Sequence, residues 1–542
     1  MDDKVQNQRV ICRGGLNTSE NFLMLSEEAP GAATRLVNYE TAVTGGYRRI
    51  NGYRPVDASF EEVTSVGVPA EGPVLGIFGF LNSNTGAFDI IAARKSVGLP
   101  VYRYYLYTSG LGWVAMTTGI THNAGGVERI RSETFRVGDD NNIIFVDGVN
   151  EATVYDGLNW YELKSTGAGG SGDPGGDQIV DAPSVVAFFK GYIFLGGDPL
   201  FPAIIVYSAP TDPLTWTAAA GAGQQIVGYD VVQIKPFRDE LYVFGQTAIK
   251  KSIPDLASSF VLQDVTNNMG CTARDSVVEV GSNVFFLSAD GIRPVAGTDK
   301  IGDVELSLMS QSIQTTISQI NATYTLTDLN AVVIRTKNQF RYFISDSLAE
   351  GDSTYGLLCS ARTYNGERKW EFFELVGISA NTAWSGYNAQ GVEVVYHGDY
   401  DGMAYQQEVG NSFNEADITA VYTTPYLDMG DTTIRKLMRK LHMFLRATGS
   451  VTLNIGVKYD WDRLDVQNPL GYTETNTSNT VTYDGGAEYD DGSTYGGAAQ
   501  PVFNTNIQGS GYAVQFSIVT TGTYNPYTIQ GLVVEFTPQG RQ

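Results

Sequence analysis

"RVGDDNNIIFVDG", residues 136–148, places a polar turn ahead of a β-branched and aromatic run that closes on Asp-Gly. It reads as strand, tight turn, strand. The same order recurs in "FLNSNTGAFDIIAAR" (80–94), "AFFKGYIFLGG" (187–197), "KPFRDELYVFG" (235–245), "VEVGSNVFFLSADG" (278–291), "IRTKNQFRYFISD" (334–346) and "GYNAQGVEVVYHG" (386–398). The turn centres fall near 84, 141, 190, 239, 282, 338 and 390, hence about 57, 49, 49, 43, 56 and 52 residues apart. A period of about 40–55 residues with four short strands each is the mark of a β-propeller. Six or seven blades are predicted, and a large β-sandwich assembly is the competing arrangement.

Large flat side chains support the repeat. Trp113, Trp160, Trp216 and Trp370 each end a later strand of a unit, and Phe260 stands in for the Trp in another. On the sequence reading they fill the widening gap between a blade and the next one. One interruption, "VELSLMSQSIQTTISQI" (304–320), spaces Met309, Ile313, Ile317 and Ile320 as an amphipathic helix does. Packing on the propeller surface is its expected role, with docking of a partner as the alternative.

Around this repeat the chain divides into an N-terminal segment with a hairpin (1–65), the propeller (66–410) and a β-rich, sandwich-like C-terminal domain (411–542). The fold class is therefore all-β. Two Gly-rich tracts, 165–178 and 482–500, read as loops. The first lacks the Lys-Ser/Thr of a phosphate-binding loop, so nucleotide binding is rejected there.

Composition narrows the function. The 542 residues include 59 acidic and 36 basic side chains, a net charge of −23. That argues against a basic clamp for nucleic acid, although an acidic wall that holds few phosphates would let DNA slide past. Cys12, Cys271 and Cys359 form no CxxC pair and are expected as buried free thiols. The first residues lack a secretory pattern and no apolar run reaches membrane-spanning length, so a soluble protein made in a cytoplasm is expected.

Chemistry-bearing motifs are scarce. His122, His397 and His442 are scattered, no GxSxG occurs, and neither an enzyme, a metal nor a cofactor is predicted. "HGDYDGMAYQQE" (397–408) puts Asp399, Asp401, Gly402 and Glu408 at calcium-loop spacing, but its strand-like flanks favour a blade hairpin. "TVYDGLNW" (153–160) puts Tyr155 where the Asp box of sialidases has its Asp.

The basic residues gather in two places. "VTGGYRRING" (43–52) carries Arg48 and Arg49 beside a Gly45-Gly46 turn, and "RKLMRK" (435–440) carries Arg435, Lys436, Arg439 and Lys440. If 35–54 form a hairpin, Tyr47 and Arg49 share one face and Arg48 takes the other. These six cations are candidate subunit or adaptor contacts, since Arg forks suit acidic partners. Snorkelling from a hairpin and direct DNA gripping are the alternatives.

"GGLNTSENFLMLSEEAPGAATRLVNYETAVTGGYRRINGYRPV" (14–56) resembles the N-terminal segment of tail hub or nozzle proteins of short-tailed bacteriophages, the tail tubular protein B-like or stabilization proteins. The resemblance rests on Gly14, Gly15 and Leu16; Asn38, Tyr39 and Glu40; and Gly45, Gly46, Arg48, Arg49, Gly52 and Tyr53. "FRDELYVFGQTAIKK" (237–251) and "TTPYLDMGDTTIRKLMRKLHMFLRA" (423–447) resemble the family's propeller and post-propeller segments. The resemblance implies a virion tail protein, made in the host cytoplasm. It implies a homo-oligomeric ring, usually a hexamer, below the head-to-tail adaptor, with a propeller beside each channel-building β-domain and transient passage of double-stranded DNA. Tail fibres or a distal tip protein would be further partners. The competing reading is a propeller that recognises glycans.

Overall fold

The computed structural model describes residues 5–539 apart from 57–70, 97, 109–110, 165–174, 211, 256–259, 296–307, 325, 327–328, 346–353, 365–366, 448, 464–465, 477–479, 482–493 and 496–501. Most of both Gly-rich tracts, and the first part of the expected helix at 304–320, lie outside the described residues.

Between residues 71 and 407 seven antiparallel units follow one another, and each opens with one of the seven hairpins read from the sequence. Six are full blades with at least four strands. The second is Arg131–Val137, Asp140–Val146, Thr153–Tyr155 and Trp160–Glu162, paired in that order. The fifth unit, Val278–Val280, Asn283–Ser288 and Gly291–Pro294, has only three strands. Residues from the first strands of all seven units line one central cavity of about 470 Å³. This is the axis of a β-propeller. At several of the opening turns a residue outside glycine takes the left-handed backbone: Lys190, Arg238, Ser282 and Asn338 have φ between 48° and 68°.

The flat side chains do sit between blades, but they face the preceding blade rather than the next. Trp160 of the second blade stacks on Tyr104 of the first, with ring centres 4.7 Å apart. Phe260 of the fourth blade meets Tyr192, Phe194 and Tyr207 of the third. Trp370 of the sixth meets Phe285 of the fifth, and fully buried Trp216 packs into the apolar cluster of the second. Trp113 closes the ring by packing with Val394 and Tyr396 of the seventh. Each of these rings thus packs on the blade that precedes its own around the ring.

Residues 6–55 are divided between two bodies. Tyr53–Pro55 is the fourth strand of the seventh blade, pairing with Ala404–Gln407 and completing the ring. The earlier strands join the C-terminal region in a sandwich. One sheet is centred on Arg435–Arg446 and Thr528–Gln539, with Gln6–Ile11, Tyr39–Thr41 and Tyr47–Arg49 beside them. The other contains Arg35–Val37, Ile418–Thr423, Val514–Gly522, Val451–Tyr459 and Tyr472–Asn476. Leu441, Met443 and Val534 from the first meet Tyr422, Leu453 and Ile518 from the second in a common apolar core. Arg35–Val37 also pairs in parallel with the last strand of the sixth blade, so one nine-stranded sheet runs from propeller into sandwich.

The helix spans Gln314–Thr323 after a 3₁₀ turn at Gln311–Ile313, between the fifth and sixth units. Ile313, Ile317 and Ile320 are buried in the largest core, and Thr315 and Thr316 hydrogen-bond Thr18. It packs rather than displays an apolar face.

Candidate functional site

Two regions concentrate charge: the joint between propeller and sandwich, and the propeller axis. At the joint, the hairpin Tyr39–Thr41 with Tyr47–Arg49 turns through Gly45 and Gly46, both at positive φ. A Cβ on Gly46 would stand 2.2 Å from the Ile529 carbonyl oxygen, and one on Gly52 would stand 1.9 Å from that of Ser412. Only glycine permits these approaches.

The adjacent arginines part company. Arg49 is fully buried, and its guanidinium donates to the carbonyls of Tyr524, Gly522, Asn411 and Ile418. Burial lowers its pKa. It staples three backbone segments together and cannot serve as an outward contact. Arg48 pairs with Glu40, which is only 2% exposed. Glu40 also accepts both hydrogen bonds from Lys337 Nζ at 2.8 Å. Arg341, 1% exposed, donates to Glu408 and, at 2.9 Å, to Gln407. The cluster thus binds the N-terminal hairpin to the sixth and seventh blades. Burial pushes the Glu408 carboxyl up, but Arg341 and Lys337 outweigh it and hold the pKa at about 2.

The second basic group lies on Arg435–Arg446. Lys436 is buried and donates to the carbonyls of Asp431 and Tyr512, so it too is consumed within the chain. Arg435 donates to Ser510. A bulge between Met438 and Lys440 leaves Arg439 and Lys440 exposed. Of the six candidate contacts, Arg439 and Lys440 are exposed and Arg48 and Arg435 reach the surface in part. In the calcium-loop lookalike, Asp399 Oδ1 caps the hairpin by accepting from the Asp401 and Met403 amides, while Glu408 belongs to the joint cluster. The three cysteines are free and buried, and burial raises the pKa of Cys12 to about 12 and that of Cys271 to about 11.

At the axis, Arg131 clasps Asp275 with two hydrogen bonds of 2.6 Å, joined by Arg129 at 3.3 Å. Burial raises the Asp275 pKa, yet Arg131 and Arg129 bring it to about 2. This group ties the blades together, and its two arginines outnumber the one carboxylate. The cavity then opens toward the hairpin turns into a mouth of about 640 Å³. Glu133, Lys235, Arg335 and Trp384 line both parts. Neither the Glu133 nor the Lys235 side chain hydrogen-bonds a described residue; burial raises the Glu133 pKa while Lys235 and Arg335 pull it down. Arg335 Nη1 donates to Ser385 Oγ at 3.2 Å. Sequence analysis missed these four. Their one signal is a charge or Trp on, or just after, the first strand of a repeat, the strand that faces the axis.

No protein-family model matches this chain, and no curated protein does. Among solved structures it is similar to Hsv2p of Kluyveromyces lactis, with 11% identity over 55% of this chain and 93% of that one, at a TM-score of 0.26. A Kluyveromyces lactis Hsv2 with its loop 6CD replaced by a Gly-Ser linker gives 10% identity over 56% and 97%, at a TM-score of 0.28. At those scores the likeness adds nothing to the propeller already read from strand order.

Proposed function

We propose that this chain is a structural subunit of the tail of a short-tailed bacteriophage, assembling with copies of itself into a nozzle ring through which DNA leaves the capsid. One observation carries the reading. The residues on which the resemblance rests cluster at the joint of propeller and sandwich, the two bodies that such a subunit combines. Asn38 hydrogen-bonds the Val376 and Thr419 carbonyls, the Leu16 amide donates to Phe372, Glu40 and Arg48 enter the ion cluster, and the Tyr53 hydroxyl donates to Gly377. A motif that fixes the angle between two bodies suits a part that must repeat identically around a ring. The net charge of −23 fits a wall that releases phosphates readily. Arg439 and Lys440 are the cations left for contacts with an acidic neighbour or adaptor.

The test is electron microscopy of the concentrated protein, classified without imposed symmetry, alone and with tail-less, adaptor-bearing capsids. The proposal expects closed rings in solution, or a ring added to the capsids. Isolated propeller-bearing monomers under both conditions would overturn it.

A further inference from the structure

We propose that the mouth of the propeller axis is a binding site for an anionic sugar, one bearing a carboxylate or a phosphate. Three cations, Arg136, Lys235 and Arg335, face a single carboxylate, Glu133, at this mouth, whereas the chain as a whole carries −23. The local excess of positive charge is therefore opposite in sign to its surroundings, and a low-dielectric funnel concentrates its field. The deeper charges do not cancel it, because Asp275 is already matched by Arg131 and Arg129. The side chains of Lys235 and Glu133 make no hydrogen bond to a described residue and act on each other only through charge. Arg136 keeps donors beyond its one bond to the Asp139 carbonyl, and Arg335 keeps donors beyond Ser385 although Glu393, 3.8 Å away, balances its charge, so the excess at the mouth is one positive charge.

The mixture of groups selects the ligand class. A bare polyanion would meet Glu133 as a like charge. A sugar acid uses both signs: its anionic group goes to Lys235 and Arg335, and its hydroxyls donate to Glu133. Its apolar ring face requires an aromatic neighbour, and Trp384, with Phe88 and Tyr387, supplies that wall. Trp384 is seated by design: a Cβ on either Gly79 or Gly386 would stand 2.4 Å from its ring. The mouth, about 640 Å³, falls within the ~300–1,000 Å³ range of small-molecule sites. This inference is independent of the ring proposal.

The experiment is isothermal titration of the full chain with trigalacturonate and with glucose 6-phosphate, against neutral maltotriose and a 12-nucleotide single strand. The expected result is binding of at least one anionic sugar, weakened about tenfold or more by Lys235→Gln, with maltotriose silent. Which of the two sugars binds identifies the anionic group. Trp384→Phe, which keeps a ring in place, should weaken the sugar and leave the melting temperature near that of the parent. Silence with both anionic sugars, equal binding of maltotriose, or binding of the oligonucleotide alone would overturn the proposal.

Discussion

Blade meets blade, and propeller meets sandwich, by different physics. Away from the axial Arg131–Asp275 pair, aromatic rings bridge the blades: Trp160 on Tyr104, Phe260 among Tyr192, Phe194 and Tyr207, Trp370 on Phe285. Such contacts hold by area and tolerate another ring of similar size. At the joint they are ionic: Glu40, Arg48, Lys337, Arg341 and Glu408 form one cluster, with Arg49 bonded to backbone carbonyls nearby. Directional groups fix an angle, and removing one leaves a buried charge short of a partner. The propeller can vary in sequence from blade to blade because its glue is forgiving; the joint cannot.

The sharpest break comes from Arg341→Met. It strips Glu408 and Gln407 of a donor that is 1% exposed, and about 5 kcal/mol should be lost. Calorimetry should then resolve two transitions, sandwich and propeller, where the parent shows one. A single shifted transition would place the joint's ions among ordinary packing contacts. Phe260→Ala removes a ring between blades and should cost about 3 kcal/mol. Here the unfolding should stay in one transition, since no angle between bodies depends on it.

Acid probes the joint through Glu408. Glu408 titrates at about 2 when folded against an ordinary 4.5. Its contribution is complete above the ordinary value and is lost as pH falls through about 2. Denaturant melts of the parent and Glu408→Gln should therefore differ most at pH 7 and converge on acidification to pH 2. Constant separation would rule out this linkage. Asp275 adds its own acid-labile share at the axis, unchanged in this variant. The smallest effect belongs to Trp160→Phe, with about 1 kcal/mol expected, because a ring still stacks on Tyr104.

How legible the molecule was follows the same division. All seven opening hairpins could be read, since each turn is local and each strand alternates. The Trp residues could be recognised as filler but not oriented, because size says nothing about which neighbour a side chain meets; they face the preceding blade. Arg49 and Lys436 read as surface cations and proved to be buried. Their partners are backbone carbonyls of Gly522, Tyr524, Asp431 and Tyr512, which have no signature in residue type. The axial group was missed for a related reason: Glu133, Lys235, Arg335 and Trp384 come from four different units, and only closure of the ring brings them together.

The strand Thr528–Gln539 lies between Arg435–Arg446 and the N-terminal strands Gln6–Ile11 and Tyr47–Arg49. During synthesis Gln6–Ile11 and Tyr47–Arg49 must therefore wait for residues 528–539. The propeller units can pair as they leave the ribosome, each with its neighbour, but this sandwich sheet has no centre until residues 528–539 have been made. Until then Gln6–Ile11 lacks the strand it pairs with. Local pairing thus precedes this one sheet, whose contacts span the longest stretches of chain and close last.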